Sequence, residues 1–258
     1  MKTRSMRRSD RMSAIMATLT DSGTVHVGEL ARQFSVSEAT MRRDLALLEE
    51  QRLLTRTHGG AVANSTVYEL PLRYRGGRHR EAKRRIALAA AARVGAEVSS
   101  VGLTGGTTTT EVARELAGRQ DITVVTNALN IAAELALRPE LKLIVTGGTA
   151  RSESYELVGP IAEAALSGMN LDLAIVGVDG VSAAGGLTTY HDIEAHTNDV
   201  LISRARHVIV VADASKVGKL AFVRICALDA VDELITDASA PAAELRALAE
   251  AGVTVTTV

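Results

Sequence analysis

The chain has 258 residues, 47% of them hydrophobic, and a formal net charge of -1, so it can bury a sizeable core in one large or two smaller domains. Aromatic residues make up only 2% and Trp is absent, which argues against the stacking platforms that hold single-stranded nucleic acid. The single cysteine, Cys226, excludes an internal disulfide framework and suits a reducing cytoplasm. We expect no membrane span, because no apolar run reaches about 18 residues, and no signal peptide.

Charge is distributed unevenly along the chain. Residues 1–85 carry 17 Lys and Arg against 9 Asp and Glu, whereas residues 86–258 carry 12 against 21. A basic N-terminal part joined to an acidic body indicates that only the N-terminal part contacts a polyanion. Solvated surface charge that happens to cluster would give the same counts, so the charge distribution alone does not establish that the N-terminal part contacts a polyanion.

The N-terminal part predicts a helix-turn-helix followed by a two-stranded wing, on the basis of helical spacing, a Gly stop and an N-cap serine. The predicted elements are a helix over 11–20, a strand over 24–27, a helix around Leu30, Ala31 and Phe34, a third helix capped by Ser37 and running to about Gln51, and wing strands over 53–56 and from Ala61 onward, with His58, Gly59 and Gly60 in the turn.

Residues 63–80 look like a connector, because they contain Pro71, paired glycines and four arginines. From residue 81 onward, short Val- and Ile-rich runs alternate with helical stretches, which predicts an α/β domain with a mainly parallel sheet covered by helices. We therefore divide the chain into a winged-helix domain over 1–62, a linker over 63–80 and an α/β domain over 81–258. The predicted strands of the α/β domain are 98–103, 122–126, 141–146, 171–177, 207–212, 234–236 and 253–257.

The third helix has the layout of a helix that enters the major groove of DNA. Met41, Leu45 and Leu48 fall on one face and predict its buried side. Arginines off this face can bond guanine or phosphate, although an ordinary amphipathic helix with a charged face has the same spacing. The candidate DNA contacts near the start of this helix are Ser37, Thr40, Arg42 and Arg43.

Three turns follow predicted strands, and turns at the carboxyl ends of parallel strands gather at one edge of the sheet. The first turn opens a helix, and its glycines, backbone N–H groups and threonine hydroxyls suit a phosphate. A tight strand-to-helix turn uses the same residues without a ligand, and no P-loop lysine follows. The second turn suits sugar hydroxyls. The turns contain Gly105, Gly106, Thr107 and Thr108; Thr126 and Asn127; and Gly147 and Gly148.

Three charged residues further along the chain are additional candidates. Lys216 follows a predicted buried strand, where an ammonium group can hold phosphate, although a solvated loop lysine fits as well. Asp179 and Glu194 can accept hydrogen bonds from sugar hydroxyls, cap helices or orient Lys216. His191 and His196 lie close to Glu194, but their separation of five residues does not suit a helical pair of metal ligands. We therefore expect no metal site.

Several motifs within residues 27–62 occur in a specific order, from Glu29-Leu30-Ala31 through VSEATMRRDL to RTHGGA. In this order they resemble the DeoR family of bacterial transcriptional regulators. The resemblance implies that DNA is contacted by the four candidates of the third helix, with Arg56 near the wing. It also implies that His58 contacts the minor groove or phosphate, unless the glycine pair after it only permits the turn.

The resemblance continues to about residue 237, with matching elements at Gly105-Gly106-Thr107-Thr108, Asp179-Gly180 and Asp213-Ala214-Ser215-Lys216. It implies an α/β domain similar in fold to ribose-5-phosphate isomerases that binds a phosphorylated sugar. It also adds Lys83 and Gly180 to the effector site. Thr104 stands where the family usually has Asp, which leaves the specificity for sugar hydroxyls open.

A sugar-phosphate isomerase with an accessory DNA-binding domain is the alternative function. Such an enzyme needs a carboxylate base beside an acid or cation, which Asp179, Glu194 and Lys216 can supply. The similar isomerases carry charged residues where this chain has Ser182 and Ala184, so we expect binding without turnover. The resemblance implies a repressor of a carbohydrate operon that binds double-stranded DNA as a homo-oligomer, dimer or tetramer, and is released by a phosphorylated sugar. We expect no cofactor.

Overall fold

The computed structural model describes residues 6–64 and 70–258, and the chain divides into two compact units, Met1–Arg78 and His79–Val258. No helix in these described ranges is both long and apolar enough to cross a membrane. The first unit contains α1 (Arg8–Ser22), β1 (Thr24–His26), α2 (Val27–Gln33), α3 (Glu38–Glu50), β2 (Leu54–Arg56), β3 (Gly60–Ala63) and α4 (Leu72–Arg75).

The first unit is held together by one apolar core to which α1, α2 and α3 all contribute. Ile15, Leu30, Met41 and Leu45 are fully buried there, as their helical spacing predicts. The strands form an antiparallel sheet in the order β1-β3-β2. The predicted winged helix-turn-helix is confirmed.

Two local predictions in this unit differ from the structure. The first strand ends one residue early, because Val27 begins α2 and donates its backbone N–H to the carbonyl of Gly59 at 2.9 Å. Part of the stretch interpreted as a connector is the helix α4, since Tyr74 is buried in the core and donates a hydrogen bond to Gln51 Oε1 at 2.5 Å. A four-residue segment between Pro71 and Gly76 is too short to show the periodicity from which such a helix is predicted.

The second unit is an α/β fold. Its elements are α5 (Arg80–Ala91), β4 (Ser100–Leu103), α6 (Thr107–Leu116), β5 (Thr123–Thr126), α7 (Leu129–Leu135), β6 (Lys142–Val145), β7 (Thr149–Ala150), β8 (Leu157–Val158), α8 (Pro160–Ser167), β9 (Leu171–Gly177), β10 (Gly180–Ser182), β11 (Gly186–Thr189), α9 (Asp192–Ser203), β12 (Ala205–Val211), β13 (Val223–Cys226), β14 (Glu233–Thr236), α10 (Ala242–Glu250) and β15 (Thr254–Thr257), with short 3-10 turns at Ala214–Lys216 and Leu228–Ala230.

A seven-stranded parallel sheet in the order β15-β14-β12-β9-β4-β5-β6 forms the centre of this unit. Both of its faces are buried. Leu173 and Ile175 point into a core formed with α5, α6 and α7, whereas Ala174 and Val176 point into a core formed with α8, α9 and α10. Burial on both faces explains why the strands are continuous apolar runs. The predicted parallel α/β fold is confirmed, and all seven predicted strands lie in this sheet.

The sequence did not predict two small antiparallel sheets, β10-β11-β13 and β7-β8. Their strands are two to four residues long, too short to show an alternating pattern. The β7-β8 hairpin follows β6 and ends at α8. It therefore lies next to the carboxyl edge of the large sheet, where the candidate effector residues were predicted.

Candidate functional sites

The start of α3 is fixed by its N-cap. Ser37 accepts a hydrogen bond from the backbone N–H of Thr40 at 3.2 Å, and the two hydroxyls lie 2.9 Å apart. This cap satisfies one of the free N–H groups of the first turn. Two of the predicted DNA contacts thus stand together at the end of the helix that would meet the bases.

The arginines predicted to contact DNA are all exposed. Arg42 pairs with Glu38 one turn away at 2.7 Å. Arg56, at the end of β2, donates through Nε to Glu49 Oε2 at 2.7 Å and through its backbone N–H to Glu49 Oε1 at 2.9 Å. These hydrogen bonds lower the pKa of Glu49. Arg42 and Arg56 can exchange these exposed partners for phosphate at little cost, since exposed ion pairs are weak.

A groove of about 460 Å³ runs between α3 and the wing. Arg42, Arg56 and His58 line it, whereas Ser37, Thr40 and Arg43 do not. Three of the predicted DNA contacts therefore line this groove, and the other three lie on α3 or at its N-cap without lining it.

The two wing glycines have different roles. A Cβ on Gly60 would lie 1.8 Å from the carbonyl oxygen of Val25, so the close pairing of β3 with β1 requires glycine there. Gly59 has open space around its Cα. Neither glycine has a positive φ, so it is the close approach of the strands, and not a left-handed turn, that needs Gly60.

Asp44 is buried on the inner side of α3, only 1% exposed. It accepts hydrogen bonds from Arg11 Nε at 2.7 Å and from Arg8 Nε at 3.0 Å. Arg11 is itself buried. Asp44 therefore joins α3 to α1.

The second unit has its topological switch point between β4 and β9. From β4 the chain continues outward through β5 and β6, whereas from β9 it continues the other way through β12, β14 and β15. In open parallel sheets, ligands bind outside the carboxyl ends of the strands at such a point. Gly105 and Gly106 follow β4, and Asp179 follows β9.

The turn after β4 has the form of an anion cradle. Gly106 adopts a φ of 137° as the N-cap of α6, and a Cβ on it would meet Thr109 at 3.0 Å. Thr109 bonds back to the Gly106 carbonyl. Within the described ranges, the hydroxyls of Thr107 and Thr108 have no hydrogen-bond partner in the protein, so they and the first N–H groups of α6 are available to an anion.

Glu156, at the end of the β7-β8 loop, is a site residue that the sequence analysis missed. Its carboxyl packs against the cradle, because a Cβ on Gly105 would lie 2.3 Å from Glu156 Oε1. Burial and the charge of Glu194 raise the pKa of Glu156 well above its usual range, and the hydrogen bond from Asn198 only partly offsets this. The raised pKa favours the protonated form of Glu156, which lessens its repulsion of an incoming phosphate.

Charged side chains from several elements form a continuous network beside the cradle. Lys216 Nζ lies 3.0 Å from Asp179 Oδ1, and Thr189 Oγ1 lies 3.2 Å from Asp179 Oδ2 and 2.8 Å from Glu194 Oε1. Arg151 Nη1 donates to Glu194 Oε2 at 2.7 Å. The structure thus brings the three predicted residues together with Thr189, and it adds Arg151, which no motif marked.

The two residues of the second predicted turn differ in availability. Thr126 is fully buried, donates to the Leu103 carbonyl at 2.8 Å and accepts from the Ala128 N–H at 3.1 Å, so its only hydroxyl proton is used within the fold. Asn127 is also fully buried, and its Nδ2 donates to Asn198 Oδ1 at 3.2 Å. Its Oδ1 lacks a partner in the described structure and can accept a hydrogen bond from a ligand.

The remaining predicted effector residues lie around this edge. Gly147 and Gly148 have φ of 73° and 122°, conformations that favour glycine. Lys83 is buried with Nζ 3.9 Å from Asp213 Oδ2. A Cβ on Gly180 would lie 2.4 Å from a backbone carbonyl, which gives this glycine a packing role. The described residues contain no group of three or more His, Cys, Asp or Glu arranged to hold a metal.

Two family models match the chain. The "DeoR-like helix-turn-helix domain" matches residues 11–67, and the "DeoR C terminal sensor domain" matches residues 78–238. The chain belongs to the DeoR family. This DeoR-family protein is a transcriptional regulator with a DNA-binding domain, and not an enzyme.

Curated relatives match the DeoR-family chain over almost its whole length. The glycerol-3-phosphate regulon repressor of Escherichia coli K12 is 34% identical over 95% of this chain and 97% of its own. The HTH-type transcriptional regulator GlpR of Haloferax volcanii is 37% identical over 96% of each chain. The HTH-type transcriptional repressor GlcR of Bacillus subtilis is 32% identical over 90% of this chain and 89% of its own.

Similarity to solved structures is more distant. Ribose 5-phosphate isomerase A from Neisseria gonorrhoeae covers 52% of this chain and 52% of its own at 18% identity, with a TM-score of 0.38. The sorbitol operon regulator SorC from Klebsiella pneumoniae covers 82% of this chain and 90% of its own at 13% identity, with a TM-score of 0.37. Similarities this low do not bear on the chemistry of the site.

Proposed function

We propose that this DeoR-family regulator represses a carbohydrate operon and that a phosphorylated sugar bound to the second unit releases it from DNA. The observation that carries this proposal is the convergence of an anion cradle and a hydroxyl-binding network at the switch point of the parallel sheet. A regulator of this kind acts where the chromosome is, in the cytoplasm. The relatives named as repressors of a glycerol-3-phosphate regulon and of other operons support the direction of regulation.

On the DNA side, α3 enters the major groove and the wing contacts the backbone or the minor groove. Exposed side chains with weak partners support this assignment, because phosphate and guanine can replace those partners. A homo-oligomer reads two half-sites, as helix-turn-helix proteins do. The DNA contacts we propose are Ser37, Thr40, Arg42 and Arg43 on α3, and Arg56 and His58 at the wing.

On the effector side, the phosphate binds at the cradle and the sugar hydroxyls bind the carboxylates beside it. Lys216 gives the positive charge nearest to Asp179, and the unpartnered Oδ1 of Asn127 accepts one hydroxyl. Thr126, Gly180 and Lys83 support the site through contacts within the protein, with the Thr126 hydroxyl bonded to backbone, Gly180 packed against a backbone carbonyl and Lys83 paired with Asp213. The effector contacts we propose are Gly105, Gly106, Thr107, Thr108, Asn127, Gly147, Gly148, Asp179, Glu194 and Lys216.

The chemistry of two positions after Asp179 supports sensing without turnover. Ser182 is buried, and its Oγ accepts the backbone N–H of Gly185 at 3.1 Å. It therefore stabilises the β10-β11 turn. Ala184 carries no group for acid or base chemistry, so neither position supports the isomerase alternative.

The proposal is tested by fluorescence anisotropy with duplex DNA from upstream of the protein's own gene, followed by titration with triose, pentose and hexose phosphates. Binding to DNA and release by at least one phosphate ester are expected. Coupling of a few kcal/mol is enough for strong release. Lys216→Ala should bind DNA as the wild type does and lose release, whereas the control Lys142→Ala, an exposed lysine at the start of β6, should keep both. A protein that ignores every such duplex at low salt refutes the proposal.

A further inference from the structure

Arg151 is the residue of the effector edge whose role the proposed function does not assign. It follows β7, and the β7-β8 hairpin holds it in place, because its backbone N–H donates to the Glu156 carbonyl at 2.8 Å and its carbonyl accepts from the Tyr155 N–H at 2.8 Å. Its side chain is only 13% exposed. A guanidinium group buried to this extent, on a two-stranded hairpin, needs a partner of opposite charge.

Arg151 Nη1 lies 2.7 Å from Glu194 Oε2, and the Glu194 side chain is 8% exposed. The second oxygen of Glu194 accepts from Thr189 at 2.8 Å. The pair therefore joins the hairpin to the first turn of α9. It does so at the wall of the site, next to the carboxylate of Asp179, which shares the same threonine hydroxyl.

Arg151 also lies close to the anion cradle. Glu156, directly across the hairpin, packs its carboxyl against Gly105 and senses the charge of Glu194, which Arg151 contacts. Glu194 therefore links the Arg151 guanidinium group to the Glu156 carboxyl through its charge, and that carboxyl packs against the first glycine of the cradle. A phosphate on the cradle would have Arg151 as a neighbour.

The balance of charge in this place favours an exchange of partners. Arg151 pairs with Glu194 and Lys216 pairs with Asp179, so a phosphate dianion that enters meets cations that already hold carboxylates. A guanidinium group has a fixed fork of N–H donors that fits phosphate through two parallel bonds. In the structure, Nη1 of this group donates to Glu194 Oε2 at 2.7 Å and lies 3.5 Å from Ser154 Oγ.

We propose that Arg151 is a ligand of the effector's phosphate group, which it binds in exchange for Glu194. Once Arg151 has moved to the phosphate, Glu194 becomes an acceptor for the hydroxyls of the same small polyol phosphate. The inference rests on the proposed function. It predicts that the site responds to phosphate esters and not to the corresponding free sugars, because a neutral polyol cannot draw Arg151 from a carboxylate.

The test compares Arg151→Gln with wild type and with Arg114→Gln, a matched control in which an arginine loses exposed pairs with Glu111 and Glu134. The probes are inorganic phosphate, glycerol 3-phosphate, ribose 5-phosphate, fructose 1-phosphate and glucose 6-phosphate, each with its unphosphorylated parent. The measurements are the thermal shift and the concentration that half-releases DNA. We expect Arg151→Gln to weaken the binding of the phosphate esters by about tenfold or more and Arg114→Gln to leave their binding unchanged.

A double variant separates a ligand from a merely structural partner of Glu194. If Arg151 only neutralises Glu194, Arg151→Gln combined with Glu194→Gln removes both charges and restores the thermal shift with inorganic phosphate. If Arg151 binds phosphate, the double variant stays as weak as Arg151→Gln. An unchanged response of Arg151→Gln, or recovery in the double variant, overturns the inference while the wild-type response keeps the proposed function intact. Failure of the wild type to respond to any probe overturns both.

Discussion

Asp44 on α3 and Arg11 on α1 form a buried ion pair, with Arg11 Nε 2.7 Å from Asp44 Oδ2 and both side chains less than one-tenth exposed. A charge so buried is stable only while its partner is present. The pair fixes the inner face of the helix whose outer face carries the candidate DNA contacts. The position of those candidate contacts therefore depends on a pair that is buried in the core.

Asp44→Ala should destabilise the first unit by about 3–5 kcal/mol, because it leaves Arg11 buried without its charge partner. Urea unfolding followed by circular dichroism measures the loss. Glu38→Ala, which removes the exposed pair with Arg42, should change stability by less than about 1 kcal/mol. Equal effects of the two substitutions would show that the buried pair has no special role.

Arg43→Ala should weaken binding to duplex DNA without changing the response of the second unit to phosphorylated sugars. If Arg43 contacts phosphate, the slope of log K against log salt should fall by about one. Anisotropy titrations at several salt concentrations measure this, with Arg114→Ala as a control for loss of one positive charge elsewhere. A slope and affinity equal to those of the wild type would remove Arg43 from the interface.

Glu156→Gln should raise stability relative to wild type by an amount that grows with pH. The pKa of Glu156 is raised in the folded protein, so its favourable contribution is complete below the unfolded pKa and is lost as pH rises toward the folded one. Glutamine does not ionise and avoids this loss. Melting temperatures measured between about pH 4 and pH 8 test the trend, and the exposed Glu250→Gln serves as control. A constant difference between variant and wild type contradicts the prediction.

Asp172→Asn should show the opposite dependence. Asp172 Oδ2 accepts hydrogen bonds from the backbone and hydroxyl groups of Ser99 and Ser100 at 2.7 to 3.0 Å, which lowers the pKa of Asp172 to about 2. The stability it contributes is therefore present above the usual range of an aspartate and is lost as pH falls toward about 2.

We expect Asp172→Asn to cost about 1–2 kcal/mol at neutral pH and progressively less in acid, as measured by urea unfolding. Arg206 lies 3.8 Å from the other carboxylate oxygen and is 82% exposed, so Arg206→Ala serves as control and should have little effect. A cost that persists unchanged in acid would mean that hydrogen bonding to the ionised carboxylate is not its source.

The elements that were predictable are those whose pattern is local. The start of α3 was predictable because Ser37 is a favourable N-cap residue. The parallel strands were predictable because burial of both faces of the sheet makes them continuous apolar runs. Arg151 and Glu156 could not be predicted in this way, since they lie on a short hairpin. Their roles depend on contacts with residues far away in sequence, namely Glu194, Gly105 and Asn198. Thr126 was predicted as a ligand contact from its place at the end of a strand. Its buried hydroxyl instead forms hydrogen bonds with the backbone of Leu103 and Ala128.

The packing of Gly60 against the Val25 carbonyl restricts how this wing can be re-engineered. A mutant library designed to change operator preference can vary Gly59 and its neighbours Thr57 and His58, which are all solvent-facing. At position 60 the same library would return glycine alone, because any side chain forces the strands apart. Substitutions that change the operator preference must therefore be selected at residues 57–59, which precede Gly60.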